Sequence, residues 1–445
     1  MLRRMGETVD PKGAVVKIKD ASFPAPFASE LEYNSPVHGN WNIVHTGMQV
    51  PESIQIYVCA DNCMRGVVLT AAEMNAADRF SFVILEEQDL LNSNLEDITI
   101  EGVTDVLNKR GDHPKAVLLF TVCLHHFVGS NLDYIYSELE HRFPDICFIR
   151  CYMDPIMQKH GLTPDQKLRK AMYDPLPVCE PNAKTVSVFG SDFALDESSD
   201  IKRLLKRYEY TVQELPACKT WQDLLDMSKG SLFIDCYPAG KYGMETQAER
   251  LGRKRLYLPG SFDYDEIERQ LKQLTDVLGL PELTENELAH ERENCEGALT
   301  RAKDLIKDMP ITLDYLYHPR PLGLAKLLLT HGFCVKAVYL DGISPEEKDE
   351  FIWLQEHAPE LELIATIQVK MRVLPRGGSE EVLAIGQKAA YFSRSRHFVN
   401  LVQGEGLYGF DGIRRTAELM MEAYREEKDT EKLVVQKGWG CECCL

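Results

Sequence analysis

Two cysteines four positions apart stand in "IYVCADNCMRGVVL", residues 56–69, where one residue pattern gives way to another. "SIQIYVC" has the apolar composition of a strand ending at Cys59, and "CMRGVVLTAAEM" has helical spacing opening at Cys63. Two more apolar runs also end on cysteine, "AVLLFTVC" at Cys123 and "ICFIRC" at Cys151. As parallel strands of one sheet, these runs would line up all four thiols along its carboxyl edge, where open α/β sheets bind ligands. Cys63, at a helix amino end, is expected to gain thiolate character from the partial positive charge there. Thiolates in such a set suit an iron–sulfur cluster or zinc. The C-x3-C spacing is not that of a zinc ribbon, and no second close pair follows it. The residues alone leave two readings open. Either the set holds a metal, or Cys59 is a buried thiol beside a helix-start thiol, with Cys147 and Cys151 as plain core. His125 and His126 beside Cys123 either support a ligand from behind or are plain polar loop residues.

The elements that would position these residues alternate between short apolar runs and helical patterns. That alternation predicts βαβ units with parallel sheets buried on both faces. A polar lead over 1–50 precedes a first α/β domain over 51–180, which closes on the Pro-rich "DPLPVCEPNAK". A second α/β domain is expected over 181–283, beginning at "TVSVFG". The charged stretch 284–309 reads as a helix that connects rather than packs deeply, and a third α/β domain follows over 310–427. Residues 428–445 form a tail ending "KGWGCECCL", with Cys441, Cys443 and Cys444 close together. These are candidate ligands for a second metal site, or adventitious thiols. Glu442 stands fourth from the end, where a prenylation box needs cysteine.

The 445 residues carry 50 Lys and Arg against 69 Asp and Glu, a net charge of −19 that argues against a nucleic-acid partner. No apolar run is long enough to span a membrane, and the start lacks the apolar stretch of a signal peptide. A cytoplasmic protein with reduced thiols is the expectation.

"IYVCADNCMRGVVL", "VCLHHFVGSNLD" and "GLYGFDGIRRTAELM", in this order, resemble nitrogenase component 1, the superfamily that includes the protochlorophyllide and chlorophyllide reductases. The similarity extends over most of the chain, roughly residues 35 to 430, and implies three Rossmann-like domains. It also implies an iron–sulfur cluster held by amino-terminal cysteines near a subunit interface, and an ATP-hydrolysing iron protein that docks and delivers electrons. Cys123 matches the family cysteine followed by glycine six residues on, and Cys59 or Cys63 matches the one before the first helix. Relatives with an eight-iron cluster have a cysteine soon after a His-Gly pair. Here His38 and Gly39 are followed by none until Cys59. The resemblance therefore implies one [4Fe-4S] cluster on Cys59, Cys63 and Cys123, completed by a partner residue or by Cys151.

In the family the reaction cavity lies between the domains. Arg320 of "HPRPLG" resembles the arginine of the cofactor loop, and Cys236 falls where nitrogenase anchors its metallocofactor by cysteine. The second anchor, a histidine before Gly-Phe-Asp-Gly, is here Tyr408, so no molybdenum cofactor and no nitrogen fixation are expected. Arg320 could instead be an exposed loop charge between prolines. Tyr408 could donate a proton to a substrate or simply pack. The resulting expectation is a reductase component that takes single electrons from the iron protein, with ATP used only by that partner. It would work as a homo-oligomer, or as a heterodimer or heterotetramer with a related subunit. A cofactor-assembly scaffold of the same fold and a metal-free protein binding a ligand between domains are the alternatives.

Overall fold

The computed structural model describes residues 10–28, 43–92, 94–154, 161–378 and 380–429. The first strand, β1 (Val15–Lys17), lies in the polar lead and joins a sheet built mainly from the last third of the chain. Strands β2 (Ser53–Cys59), β3 (Phe80–Ile84), β4 (Ala116–Val122) and β5 (Cys147–Met153) make the first sheet in the order β3-β2-β4-β5, all parallel. Every residue of β2 and β4 is buried, as a sheet covered on both faces requires. Ile56, Val58 and Leu119 face the helices Leu95–Lys109 and Leu132–Arg142. Tyr57, Cys59 and Phe120 face the other way, toward the helices Ile43–Met48 and Pro164–Ala171. The Tyr57 ring stacks on Phe120 with centroids 4.3 Å apart. Its hydroxyl donates to Gln55 (2.6 Å), whose amide donates to the Val44 carbonyl (3.0 Å), so this buried polar chain is satisfied.

The second sheet comprises β6 (Asn182–Phe189), β7 (Thr211–Glu214), β8 (Gly230–Asp235) and β9 (Lys254–Tyr257), ordered β7-β6-β8-β9 and again parallel. The third contains β10 (Pro310–Asp314), β11 (Cys334–Tyr339), β12 (Glu362–Ile364), β13 (Leu383–Ile385) and β14 (His397–Val399). Its order is β1-β12-β11-β10-β13-β14, with β1 the antiparallel edge, pairing Val15 with Ile364.

Two local expectations are corrected. The charged helix Glu285–Ile306 is no loose connector. Cys295, Ala298, Leu299, Ala302 and Ile306 form a buried stripe packed along the helix Gly409–Arg425, and the Cys295 thiol donates to the Phe410 carbonyl (3.1 Å). Strand β5 runs two residues beyond Cys151, to Met153.

The three sheet units are joined by a buried polar knot. Arg169 donates from Nε to Asp165 (3.1 and 3.2 Å), pairs with Asp192 through Nη1 (2.8 Å) and donates from Nη2 to the Thr46 hydroxyl (3.1 Å). Gln403 closes the knot from the third unit, donating to Asp192 (2.7 Å) and accepting its backbone N–H (3.1 Å).

Candidate functional site

At the carboxyl edge of the first sheet, β2 ends on Cys59 and Cys63 is the third residue of the helix Asp61–Glu73. Beside them β4 ends at Val122, and Cys123 opens the short helix Cys123–Val128. His125 fixes that turn: its Nδ1 accepts the Val122 N–H (3.3 Å) and its Nε2 meets the Thr99 hydroxyl (3.1 Å). Burial lowers its pKa to about 4, so the imidazole is neutral and its role is to hold the turn. His126 is more exposed, with Nδ1 3.7 Å from the buried Asp154 that follows β5.

The three thiols differ in orientation. Cys63 is exposed and Cys123 half-buried, whereas Cys59 is fully buried against Tyr57, Val67 and Phe120. Burial, with the Cys63 charge next, pushes the Cys59 thiol up to about 12. Burial also raises the Cys63 thiol, against the expectation from its helix amino end, where the partial positive charge is outweighed. Cys123 is raised by burial, then by the charges of Cys63 and Asp154. Cys63 is thus felt by both other thiols. Cys151 lies apart: in register with Phe120, inside β5, its thiol donates to the Ile149 carbonyl (3.4 Å) and burial raises its pKa strongly. Cys147, at the start of the same strand, is at the opposite end of the sheet.

Among the described residues no three of His, Cys, Asp and Glu converge closely enough to hold a metal ion. The donor chemistry at this edge fits part of an iron–sulfur ligand set: two outward thiols from neighbouring strand ends, with the remaining ligands to come from elsewhere. Exposed apolar side chains share this edge: Ile84 ends β3 opposite Cys59, and Phe127 and Val128 lie on the short helix that Cys123 opens. His38, Gly39, Cys441, Cys443 and Cys444 lie outside the described residues.

The second set of expected residues meets between the second and third units. Arg320, at the N-cap of the helix Pro321–Thr330, is only 2% exposed, which corrects its reading as an exposed loop charge. Its Nη1 donates to Glu266 (2.8 Å) and the Gly260 carbonyl (3.1 Å), and its Nη2 to Glu350 (3.2 Å) and the Glu346 carbonyl (3.1 Å). Both nitrogens that would grip an anionic ligand are therefore held by the protein, and only Nε lacks a partner. Glu347 accepts from the Leu322 and Gly323 amides (2.6 and 3.1 Å) at the start of the same helix.

Cys236, one residue past β8, is half-buried, and burial followed by Asp235 and Glu214 raises its thiol strongly. Tyr408 is buried and donates to Gln270, whose amide in turn donates to the Pro259 carbonyl (2.8 Å). Burial and the nearby Cys236 raise Tyr408 well above the ordinary phenol range, so it keeps its proton. Tyr408, Ser261, His318 and Phe262 line a crevice of about 10 Å³, room for about one water.

Sequence reasoning missed the acidic partners here. Asp235 was missed as well, although a carboxylate closing a mainly apolar strand was a signal for it; the glutamates on Arg320 had none. Asp235 is fully buried, which raises its pKa, and one oxygen is unpartnered among the described residues. Gly190 and Gly240 make room for it, since a Cβ at either position would lie 2.5 or 2.3 Å from its Oδ2.

Three fused parallel α/β units, with thiols at one sheet edge and a polar crevice between two units, define the class of fold. Residues 101–425 match the family model "Nitrogenase component 1 type Oxidoreductase". The chain belongs to the nitrogenase component 1 type oxidoreductase family. Its structure is similar to solved structures described as "Nitrogenase Cp1 at pH 6.5" and "Nitrogenase Cp1 at pH 5", with TM-scores of 0.64 and 0.57. Each is 13% identical; the matches cover 94% and 93% of this chain and 95% and 94% of those. At that identity the likeness is one of fold. No curated protein matches the chain. Among the described residues no helix is long and apolar enough to cross a membrane.

Proposed function

We propose that this chain is the electron-accepting component of a nitrogenase-like reductase, with a [4Fe-4S] cluster seated on Cys63 and Cys123 at an interface with a second component 1 subunit. The observation that carries the reading is two thiols that are not fully buried, on helix starts that follow adjacent strands, with exposed Ile84, Phe127 and Val128 on the same edge. The cluster would supply one-electron storage at low potential. The chain's own residues supply the rest. His125 holds the turn that presents Cys123, while Ile84, Phe127 and Val128 would exclude water once a partner covers them. Cys59 would join only by turning out of the core, and the partner subunit or Cys59 would complete the set. An ATP-hydrolysing iron protein is the proposed electron donor, and the cytoplasm the proposed compartment.

Anaerobic purification, followed by iron and acid-labile sulfide per chain and a low-temperature spectrum of the reduced protein, tests this. Cys63→Ala and Cys123→Ala should each lower iron and abolish the spectrum, while Cys147→Ala should leave both unchanged. Equal iron in all three variants would sink the proposal. Cys59→Ala decides whether the inward thiol is recruited.

A second reading, a cofactor-assembly scaffold, draws support from the shut crevice and from an Arg320 already held by glutamates. It predicts that iron loaded on the chain transfers to an apo acceptor protein, with no reductase activity in any donor mixture.

A further inference from the structure

On a chain of net charge −19, one hollow in the third unit is lined mainly by cations. It measures about 570 Å³, within the range of small-ligand sites, and its lining is Arg376, Tyr391, Arg394, Arg396, Glu427, Lys428 and Asp429. We propose that it binds a small, multiply charged oxyanion of the phosphate-ester or pyrophosphate class.

The backbone is arranged to present these cations together. Arg394 caps the helix Gln387–Ser393 with φ of 56°, a left-handed conformation that helix ends usually give to glycine. Ser395 is buried, donating to the Val382 carbonyl (2.7 Å) and accepting the His397 N–H (3.0 Å), so Arg394 and Arg396 on either side both point outward. The Lys428 N–H donates to the Arg396 carbonyl (2.7 Å) and its ammonium to the Phe398 carbonyl (3.2 Å), which ties the end of the chain's last described segment to the same wall. Arg376 lies over the Tyr391 ring at 4.2 Å, which closes its segment against the helix Gln387–Ser393. Gly377 makes that closure possible: its N–H donates to the Phe392 carbonyl (2.7 Å), and a Cβ there would sit 3.1–3.2 Å from Ser393 and Arg394.

The acidic residues offset only part of this charge: four cations, Arg376, Arg394, Arg396 and Lys428, face two carboxylates in the lining, Glu427 and Asp429. Glu427 is engaged by Arg396 (2.7 Å), and Glu381 lies 3.8 Å from the same guanidinium. Asp429 is the remaining carboxylate of the lining. Arg394 makes no ion pair among the described residues. Planar guanidinium forks match phosphate oxygens in pairs, which favours an oxyanion over a diffuse acidic surface, and a concave hollow of this size favours a small ligand over a protein.

Titration calorimetry of pyrophosphate into the full chain at low salt tests the proposal. Saturable binding is expected, weakened at least tenfold in Arg394→Ala/Arg396→Ala and in Lys428→Ala, with thermal unfolding temperatures kept as a check that the variants fold. Lys272→Ala, a remote exposed cation, should bind as the parent does. No heat from the parent, or equal weakening in Lys272→Ala, would overturn it. The proposal is independent of the thiol edge, so Cys63→Ala should bind pyrophosphate normally.

Discussion

Glu347 offers the sharpest test of how charge is managed between the units. Its carboxylate accepts two amides at a helix amino end, and Arg320 is nearby; both favour ionisation. Burial opposes them and wins, raising its pKa from 4.5 to about 8. Because the folded value lies above the unfolded one, the native state keeps a proton that the unfolded chain releases. Stability from this site is therefore present below about pH 4.5 and is lost as pH rises through about 8. Glu347→Gln keeps an oxygen that accepts from the two amide N–H groups but cannot ionise. Between pH 5.5 and 7.5 the parent should lose about 2–3 kcal/mol relative to the variant, at roughly 1.4 kcal/mol per pH unit per proton. Equilibrium urea unfolding of both proteins across that range measures the difference. Parallel stability profiles would mean that Glu347 is ionised in the fold and that the helix terminus outweighs burial.

Arg169→Ala leaves Asp165 and Asp192 buried beside a lost cation, and should cost about 3–5 kcal/mol in urea unfolding; a loss below about 1 kcal/mol would mean the knot does not join the units. Gly386→Ala places a Cβ 2.2–2.4 Å from the Asp314 carboxyl at φ of 112°, so it should destabilise by about 3 kcal/mol or more. Adding Asp314→Ala should cost less than the two single changes together, since the clash is removed.

The sheets were legible because β4 is apolar but for Thr121 and β2 is apolar but for Ser53 and Gln55, a density that suits strands covered on both faces. Strand β1 was not, since three residues carry no periodicity and their partner, β12, lies at the far end of the sequence. The helix Pro164–Ala171 also went unread, although Thr163, Pro164 and Gln166 form a capping box with proline at the first turn. The helix Glu285–Ile306 looked like a connector because its charges hide a narrow stripe of small and apolar residues. At the site, sequence located Cys59, Cys63 and Cys123 at the sheet edge but not which way each thiol points. Cys151 was misplaced by a two-residue error in a strand end. The glutamates on Arg320 come from helices far apart in sequence, and no local pattern announces such a pairing.

The shut crevice raises the question of what would have to move for a ligand to reach Tyr408. Phe262 is the side chain common to that crevice and to an outer cleft of about 470 Å³ that also includes Lys326 and Glu350. Its ring meets His318 edge-on at 4.8 Å, and Gly260 presses on the imidazole so closely that a Cβ there would lie 2.6 Å from Nε2. Enclosed in this way, His318 has its pKa lowered to about 3, by burial first and by Arg320 second. Phe262→Ala removes part of the first cause and leaves the second. Water entering from the cleft should raise the His318 pKa by about one unit or more, short of its ordinary value because Arg320 remains. The cavity should cost about 3–5 kcal/mol of stability. Histidine-resolved NMR titration reads the shift directly. If His318 still titrates near 3 in a folded Phe262→Ala protein, the ring is not the barrier between cleft and crevice, and access to Tyr408 must come from separation of the second and third units.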